Sequence, residues 1–85
     1  MDEAKPIEGL IEGRIVHYVL PAGRNTGYHR PAIIVQVWDI WSGKSNLRVF
    51  LDGDNDDPER DLIWATSIAY SEDKKPGTWH FIERD

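Results

Sequence analysis

The chain alternates short apolar runs with polar connections, and each apolar run has the length and composition of a β-strand. The runs are rich in β-branched and aromatic side chains, which favour strands. The connections consist largely of glycine, proline, serine, asparagine and aspartate, which are typical of turns. The pattern predicts five strands, at residues 14–20, 32–40, 47–51, 62–70 and 78–82.

Five short strands without a convincing amphipathic helix predict an all-β fold, a small five-stranded SH3-like barrel. We assign residues 1–12 to an N-terminal extension and residues 13–85 to a single β-barrel domain. Because successive side chains along a strand point to opposite faces, alternation predicts which side chains point inward. The expected inward set is Ile15, Val19, Ile33, Val35, Val37, Leu47, Val49 and Leu51.

The opposite face of the predicted sheet is also apolar, with only Gln36 and Arg48 as polar members. An antiparallel sheet that is apolar on both faces needs a cover on its outer side. We expect a second copy of the chain to supply it, which predicts a homo-oligomer. The alternative is a strongly curved barrel that shares these residues between core and corners. The residues concerned are Val16, Tyr18, Leu20, Ile34, Trp38 and Phe50.

Composition and charge exclude or disfavour several classes of binding partner for this chain. The chain has no cysteine, which excludes disulfides and thiolate zinc sites and favours a cytoplasmic protein. No apolar run approaches the roughly 18 residues of a membrane span, so we expect no membrane partner. Acidic residues number 15 against 10 basic ones, for a net charge of −5. This balance opposes binding to an extended nucleic acid, which is held mainly through basic residues.

A polar, cationic turn, Tyr28-His29-Arg30-Pro31, leads directly into an apolar strand. Side chains at the mouth of a strand are held well for a ligand, and we expect Arg30 to matter little for folding there. Trp is overrepresented, with four in the chain, and its ring can stack on a base. Flanking glycines around Arg24 permit close approach of a phosphate. The predicted ligand-binding residues are Arg24, Tyr28, His29, Arg30, Trp38, Thr66 and Trp79.

Neither of the two sequence patterns that could hold a metal ion has a recognised spacing. His17, His29 and His80 are far apart along the chain, and His17 is expected to lie in the barrel wall, neutral and hydrogen-bonded. The acidic stretch 52–61 has Asp57 where a calcium loop needs glycine. This stretch predicts an acidic hairpin connection, with divalent-ion binding as a minor alternative. We therefore predict no metal site and no cofactor.

The first half of the chain resembles the opening of the MazF/PemK-type mRNA interferase toxins. The similar segments are Gly13 to Val19, a glycine-containing loop, and His29 to Val35. The resemblance implies an SH3-like barrel and a dimer. It also implies a role for Arg30 in RNA cleavage, assisted by Thr66. Three features depart from the toxin pattern: the first loop lacks the usual acidic residue, there is no room for a C-terminal helix, and the protein is acidic.

Nearly the whole chain also resembles a group of small proteins encoded by bacteriophages. The similar segments are residues 15–21, 29–32, 64–67 and 75–80. This resemblance implies little chemistry by itself. Phages do use small, oligomeric, cysteine-free barrels to sequester nucleotide immune signals, and we infer membership of that functional class.

These observations lead to a hypothesis of a non-enzymatic phage anti-defence protein in the cytoplasm of an infected bacterium. It would bind and sequester a small nucleotide signal, such as a cyclic ADP-ribose isomer or a cyclic oligonucleotide, without cleaving it. Arg24 and Arg30 would pair with phosphate, an aromatic ring would stack on the base, and His29 and Thr66 would contact ribose or phosphate. The alternatives are a MazF/PemK-like RNA endonuclease and a phage protein–protein adaptor.

Overall fold

The computed structural model describes residues 5–83, which form one mostly β domain with a single antiparallel sheet. Its strands are β1 (Ile15–Val19), β2 (His29–Val37), β3 (Ser45–Phe50), β4 (Leu62–Ile68) and β5 (Trp79–His80), and a short 3₁₀ helix spans Gly53–Asn55. The strand order is β4-β3-β2-β1-β5. All five predicted strands are therefore confirmed, with boundaries shifted by a few residues. No helix among the described residues has the length and apolar character needed to cross a bilayer.

The sheet remains open, so a closed barrel is not what the strands form. Strands β4 and β5 are its two edges. One isolated parallel bridge, between Tyr70 and Trp79, connects the segment after β4 to β5. The backbone supports this junction with bonds from Ser71 N to Trp79 O (2.9 Å) and from Trp79 N to Ala69 O (3.0 Å). Within residues 5–83, the two edges thus approach each other at this one corner.

The predicted inward face was right for β3 and for Val19, and wrong for the rest of β1 and most of β2. Val16 pairs with Ala32 across the β1–β2 ladder, and both are buried, whereas Ile15 and Val35 are exposed. Both faces of these strands are apolar, so alternation alone does not determine which one faces the core. If the alternation is assigned one residue out of step, every side chain of the strand is then predicted on the wrong face. A register shift between Ile34 and Gln36 restores Val37 to the core side.

The core is built around Trp79, which is fully buried. Its indole N–H donates to the carbonyl of Gly43 (2.8 Å), and its ring packs against Tyr70 and Phe81. Gly43 has a φ of +83°, and a Cβ there would lie 2.5 Å from Cβ of Tyr70. The close approach of the β2–β3 connection to Trp79 therefore requires glycine at this position.

Part of the predicted N-terminal extension belongs to this core. Leu10 is buried, and Ile7 packs against the buried cluster while its backbone N–H donates to Ile40 O (2.8 Å). Gly13 N donates to Ile34 O (2.7 Å), which leads the chain into β1. Residues 5–12 thus cover one end of the sheet, and residues 1–4 of the predicted extension lie outside the described part.

Candidate metal centre

Three histidines that are distant in sequence meet on three neighbouring strands. His17 lies on β1 and pairs in register with His80 on β5, and His29 lies opposite Val19 at the start of β2. The ring centroids are 5.9 Å apart for His17 and His29, 5.7 Å for His17 and His80, and 4.7 Å for His29 and His80. The side-by-side order of β2, β1 and β5 creates this cluster, because a sheet brings one face of adjacent strands together.

The carboxylate of Glu83 completes the cluster from the segment that follows β5. Its Oε1 lies 2.9 Å from Nδ1 of His17 and 2.5 Å from Nε2 of His80. Its Oε2 lies 3.2 Å from Nδ1 of His29 and 3.6 Å from Nζ of Lys74. A single carboxylate therefore faces one nitrogen from each of the three imidazoles.

The four side chains can hold a metal ion. One ligand atom from each of His17, His29, His80 and Glu83 can be chosen so that all four lie within 4.8 Å of one another. A tetrahedral zinc site with bonds of roughly 2.0–2.1 Å separates its ligand atoms by about 3.4 Å. A contraction of about 1.4 Å at the widest pair, within the reach of side-chain rotations, would bring the set to that geometry.

The protonation states of His80 and Glu83 suit a metal ligand set. Burial lowers the pKa of His80, which favours the neutral imidazole that a metal requires. Burial alone would raise the pKa of Glu83, but hydrogen bonds from His17 and His80 outweigh it and lower that pKa to about 2. Glu83 is therefore a carboxylate at neutral pH. Nδ1 of His80 is buried without a partner among the described residues.

Arg30, the central residue of the predicted nucleotide site, is held by an acidic side chain. Its Nε lies 2.5 Å from Oδ2 of Asp56, its Nη2 lies 2.7 Å from Oδ1, and the Asp56 side chain is only 1% exposed. Hydrogen bonding to Arg30 outweighs the opposing effect of burial and lowers the pKa of Asp56. This geometry favours a contribution of Arg30 to folding, because its charge neutralises a buried carboxylate.

Three other predicted ligand-binding residues lie in two separate parts of the structure. Tyr28 is 55% exposed, and the Arg30 guanidinium lies 5.6 Å from its ring centre. Trp38 and Thr66 meet through Asn46, whose Oδ1 accepts from the indole N–H (3.0 Å) and from the Thr66 hydroxyl (3.0 Å). Trp38 follows the end of β2 and lies roughly 30 Å along the strand from its start, at a rise of about 3.3 Å per residue. The structure therefore does not gather these residues into one pocket.

Two further predicted residues differ in their accessibility. Trp79 lies at the centre of the core, so its ring faces are occupied by protein and offer no stacking surface to a ligand. Arg24 is exposed in the connection between β1 and β2. His29 is the one predicted site residue that joins the histidine cluster.

This candidate centre was not predicted from the sequence, because the histidines were weighed by their separation along the chain. The pairing of β1 with β5 brings the segment after β5 close to β1. It thereby allows His17 to contact Glu83, which lies 66 positions later in the chain. A signal was present in the sequence, because His17 and His80 lie within predicted strands and His29 lies just before another. The strand order needed to unite them was not specified by that pattern.

No protein-family model, curated protein or solved structure matches this chain at a significant level.

Proposed function

We propose that this protein binds one divalent transition-metal ion, with zinc as the best fit. The observation that carries the proposal is the convergence of His17, His29, His80 and Glu83 on one small volume. Imidazole suits zinc, copper, iron and nickel, and a set of three histidines with one carboxylate provides the four ligands of a tetrahedral zinc site. Magnesium and calcium prefer oxygen ligands, so this donor set disfavours them.

The test is a calorimetric titration of chelator-treated protein with Zn²⁺, with native mass spectrometry to count bound ions. We expect one ion per chain, and a loss of affinity of at least tenfold in His17→Ala, whose partly exposed side chain is removable without opening the core. Glu72→Gln is the matched control for Glu83→Gln, because it removes the same carboxylate charge from a residue outside the ligand set. Failure of the wild-type protein to bind Zn²⁺, or equal binding by His17→Ala, would contradict the proposal.

Sequestration of a small nucleotide is a second candidate function. Exposed aromatic rings on Tyr28, Trp38 and Trp64 support it, because each offers a stacking face to a base. The ion pair between Arg30 and Asp56 argues against nucleotide binding, because it leaves less positive charge for a phosphate. A metal ion would supply a replacement cation. The phage anti-defence role, the cytoplasmic location and the nucleotide ligand remain proposals.

The ribonuclease and adaptor alternatives also remain proposals. The ribonuclease has less support, because a guanidinium paired with a buried carboxylate is a poor stabiliser of a cleaved phosphate. The expected outer face was wrong in part, because four of its members are buried: Val16, Tyr18, Leu20 and Ile34. The outer face of the structure is nevertheless apolar and supports adaptor binding through the exposed side chains of Ile15, Phe50, Leu62 and Trp64. The same face supports the proposal of a homo-oligomer, and the approach of β4 to β5 at one corner supports relating the open sheet to the SH3-like class.

A further inference from the structure

We propose that an oxygen of a phosphate group can bind the metal ion in this centre by displacing Glu83, and that Lys74 provides a second positive charge for the same group. The inference rests on the proposed metal binding. It assigns a ligand class, a phosphate monoester or free phosphate, to the centre formed by His17, His29, His80 and Glu83.

The four metal-ligating side chains differ in how firmly the fold holds them. The three histidines lie on, or at the start of, paired strands, so their backbones are fixed by the sheet. Glu83 comes from a segment without regular structure after β5, and its side chain is 34% exposed. Zinc sites that exchange a ligand hold the ion with three protein side chains and release only the fourth position. Glu83 is thus the ligand that an incoming oxyanion would replace.

Lys74 is positioned at this exposed side of the centre. Its Nζ lies 3.6 Å from Oε2 of Glu83. Its backbone has a φ of +59°, a left-handed conformation that is uncommon for a residue with a side chain. The surrounding turn is anchored to the sheet by bonds from Ser71 N to Trp79 O (2.9 Å) and from Gly77 N to Val19 O (2.8 Å). The fold therefore maintains an unfavourable backbone conformation that presents an ammonium group beside the ligand cluster.

The charges at the centre favour a dianion. A divalent ion with Lys74 and Glu83 gives a local charge of about +2, in a protein whose net charge is −5. On displacement from the metal, the Glu83 carboxylate retains Lys74 and the histidines as neighbours, so it is not left unpaired. A phosphate oxygen on the metal, with a second oxygen accepting from Lys74, would satisfy both cations.

The test uses protein loaded with Co²⁺, whose visible absorption bands report the number and type of ligands on the metal. We expect inorganic phosphate to change these bands in a saturable way. A nucleoside 5′-monophosphate and the corresponding nucleoside form two further arms. Tighter binding of the monophosphate than of free phosphate would identify a nucleotide as the source of the phosphate. Equal affinities would identify the phosphate group alone, and a response to the nucleoside would overturn the proposal.

Lys74→Met should weaken phosphate binding about fivefold, as expected for a partly exposed ion pair, while leaving Co²⁺ affinity unchanged. Lys75→Met is the matched control, because it removes the same charge from the adjacent residue, whose ammonium forms no ion pair within residues 5–83. If Co²⁺ binds but phosphate leaves its spectrum unchanged, or if both lysine variants behave alike, the inference is wrong and the metal centre stands. If Co²⁺ and Zn²⁺ both fail to bind, the metal-binding function falls as well.

Discussion

The carboxylate of Asp56 binds the guanidinium of Arg30 through both of its oxygens, at 2.5 and 2.7 Å. The same carboxylate accepts from the side-chain amide of Asn25 (2.7 Å) and from the backbone N–H of Asp52 (2.7 Å). It therefore connects the loop before β2, the first residues of β2 and the acidic loop after β3. This one buried side chain organises the end of the sheet where the acidic residues are concentrated.

We predict that Arg30→Ala lowers the free energy of unfolding by about 2–4 kcal/mol, because it leaves Asp56 charged and buried without its partner. The measurement is urea unfolding at pH 7. Arg24→Ala is the control, since Arg24 is an exposed arginine of the preceding loop and its replacement should change stability by less than about 0.5 kcal/mol. Equal stability of the Arg30→Ala variant and the wild type would show that the ion pair contributes nothing to folding.

Acid should destabilise the fold through Asp56 and Glu83. The pKa of each carboxyl is lower in the folded protein than its ordinary value, and that of Glu83 is about 2. Their contribution to stability is therefore complete above about pH 4.5 and is lost as the pH falls below it. We expect Asp56→Asn and Glu83→Gln to be less stable than wild type at pH 7 and to lose less stability between pH 5 and pH 3. Thermal unfolding across this range measures the slopes, and parallel slopes for all three proteins would contradict the assignment.

Gly43→Ala should destabilise the protein far more than Gly13→Ala. Both glycines have positive φ, +83° and +91°, so both substitutions incur the cost of about 1–2 kcal/mol for a left-handed residue. A Cβ at Gly13 meets no atom within 4 Å, but one at Gly43 lies 2.5 Å from Cβ of Tyr70 and 2.8 Å from Cδ1 of Ile7. Overpacking adds roughly 1–3 kcal/mol. Chemical denaturation of the two variants compares them, and a difference below about 1 kcal/mol would show that the core adjusts easily.

Self-association should depend on the outer face of the sheet. Arg48 faces Trp64 across the β3–β4 ladder and Phe50 faces Leu62, and the three apolar side chains of these pairs are each more than 40% exposed. We expect wild-type protein to sediment as a dimer or larger at micromolar concentration, and a Phe50→Ser/Trp64→Ser double variant to sediment as a monomer. Ile40→Ser, in the β2–β3 connection, is the control for loss of an exposed apolar side chain. A monomeric wild type would remove the case for a homo-oligomer.

The strand positions were predictable because each strand is marked by local composition. The turn residues between Val19 and His29, and between Val37 and Ser45, separate the apolar runs without ambiguity. The inward face was not predictable for β1 and β2, because Ile15 and Val16 are equally suited to burial and only the packing of the whole sheet distinguishes them. Local propensity determines where a strand lies, and long-range packing determines which way it faces.

The candidate site was less predictable than the fold. His29 was predicted as a ligand-binding residue from its place at the mouth of β2, but its partners His17, His80 and Glu83 come from β1, β5 and the segment after β5. Arg30 was interpreted as a free cation because its counterion lies 26 residues later, in the acidic loop. Both outcomes depend on contacts between distant segments, which periodicity and spacing do not encode.

The pairing of β1 with β5 also sets an order on folding during synthesis. His17 leaves the ribosome well before Glu83, which follows it by 66 residues, and a contact of that range is slow to form because a long loop must close first. Until β5 has emerged, the β1 edge lacks its partner strand and is open to pairing with other chains. A metal ion cannot find its full ligand set in the nascent chain. Capture of the ion would therefore be a late event that holds the first and last strands together.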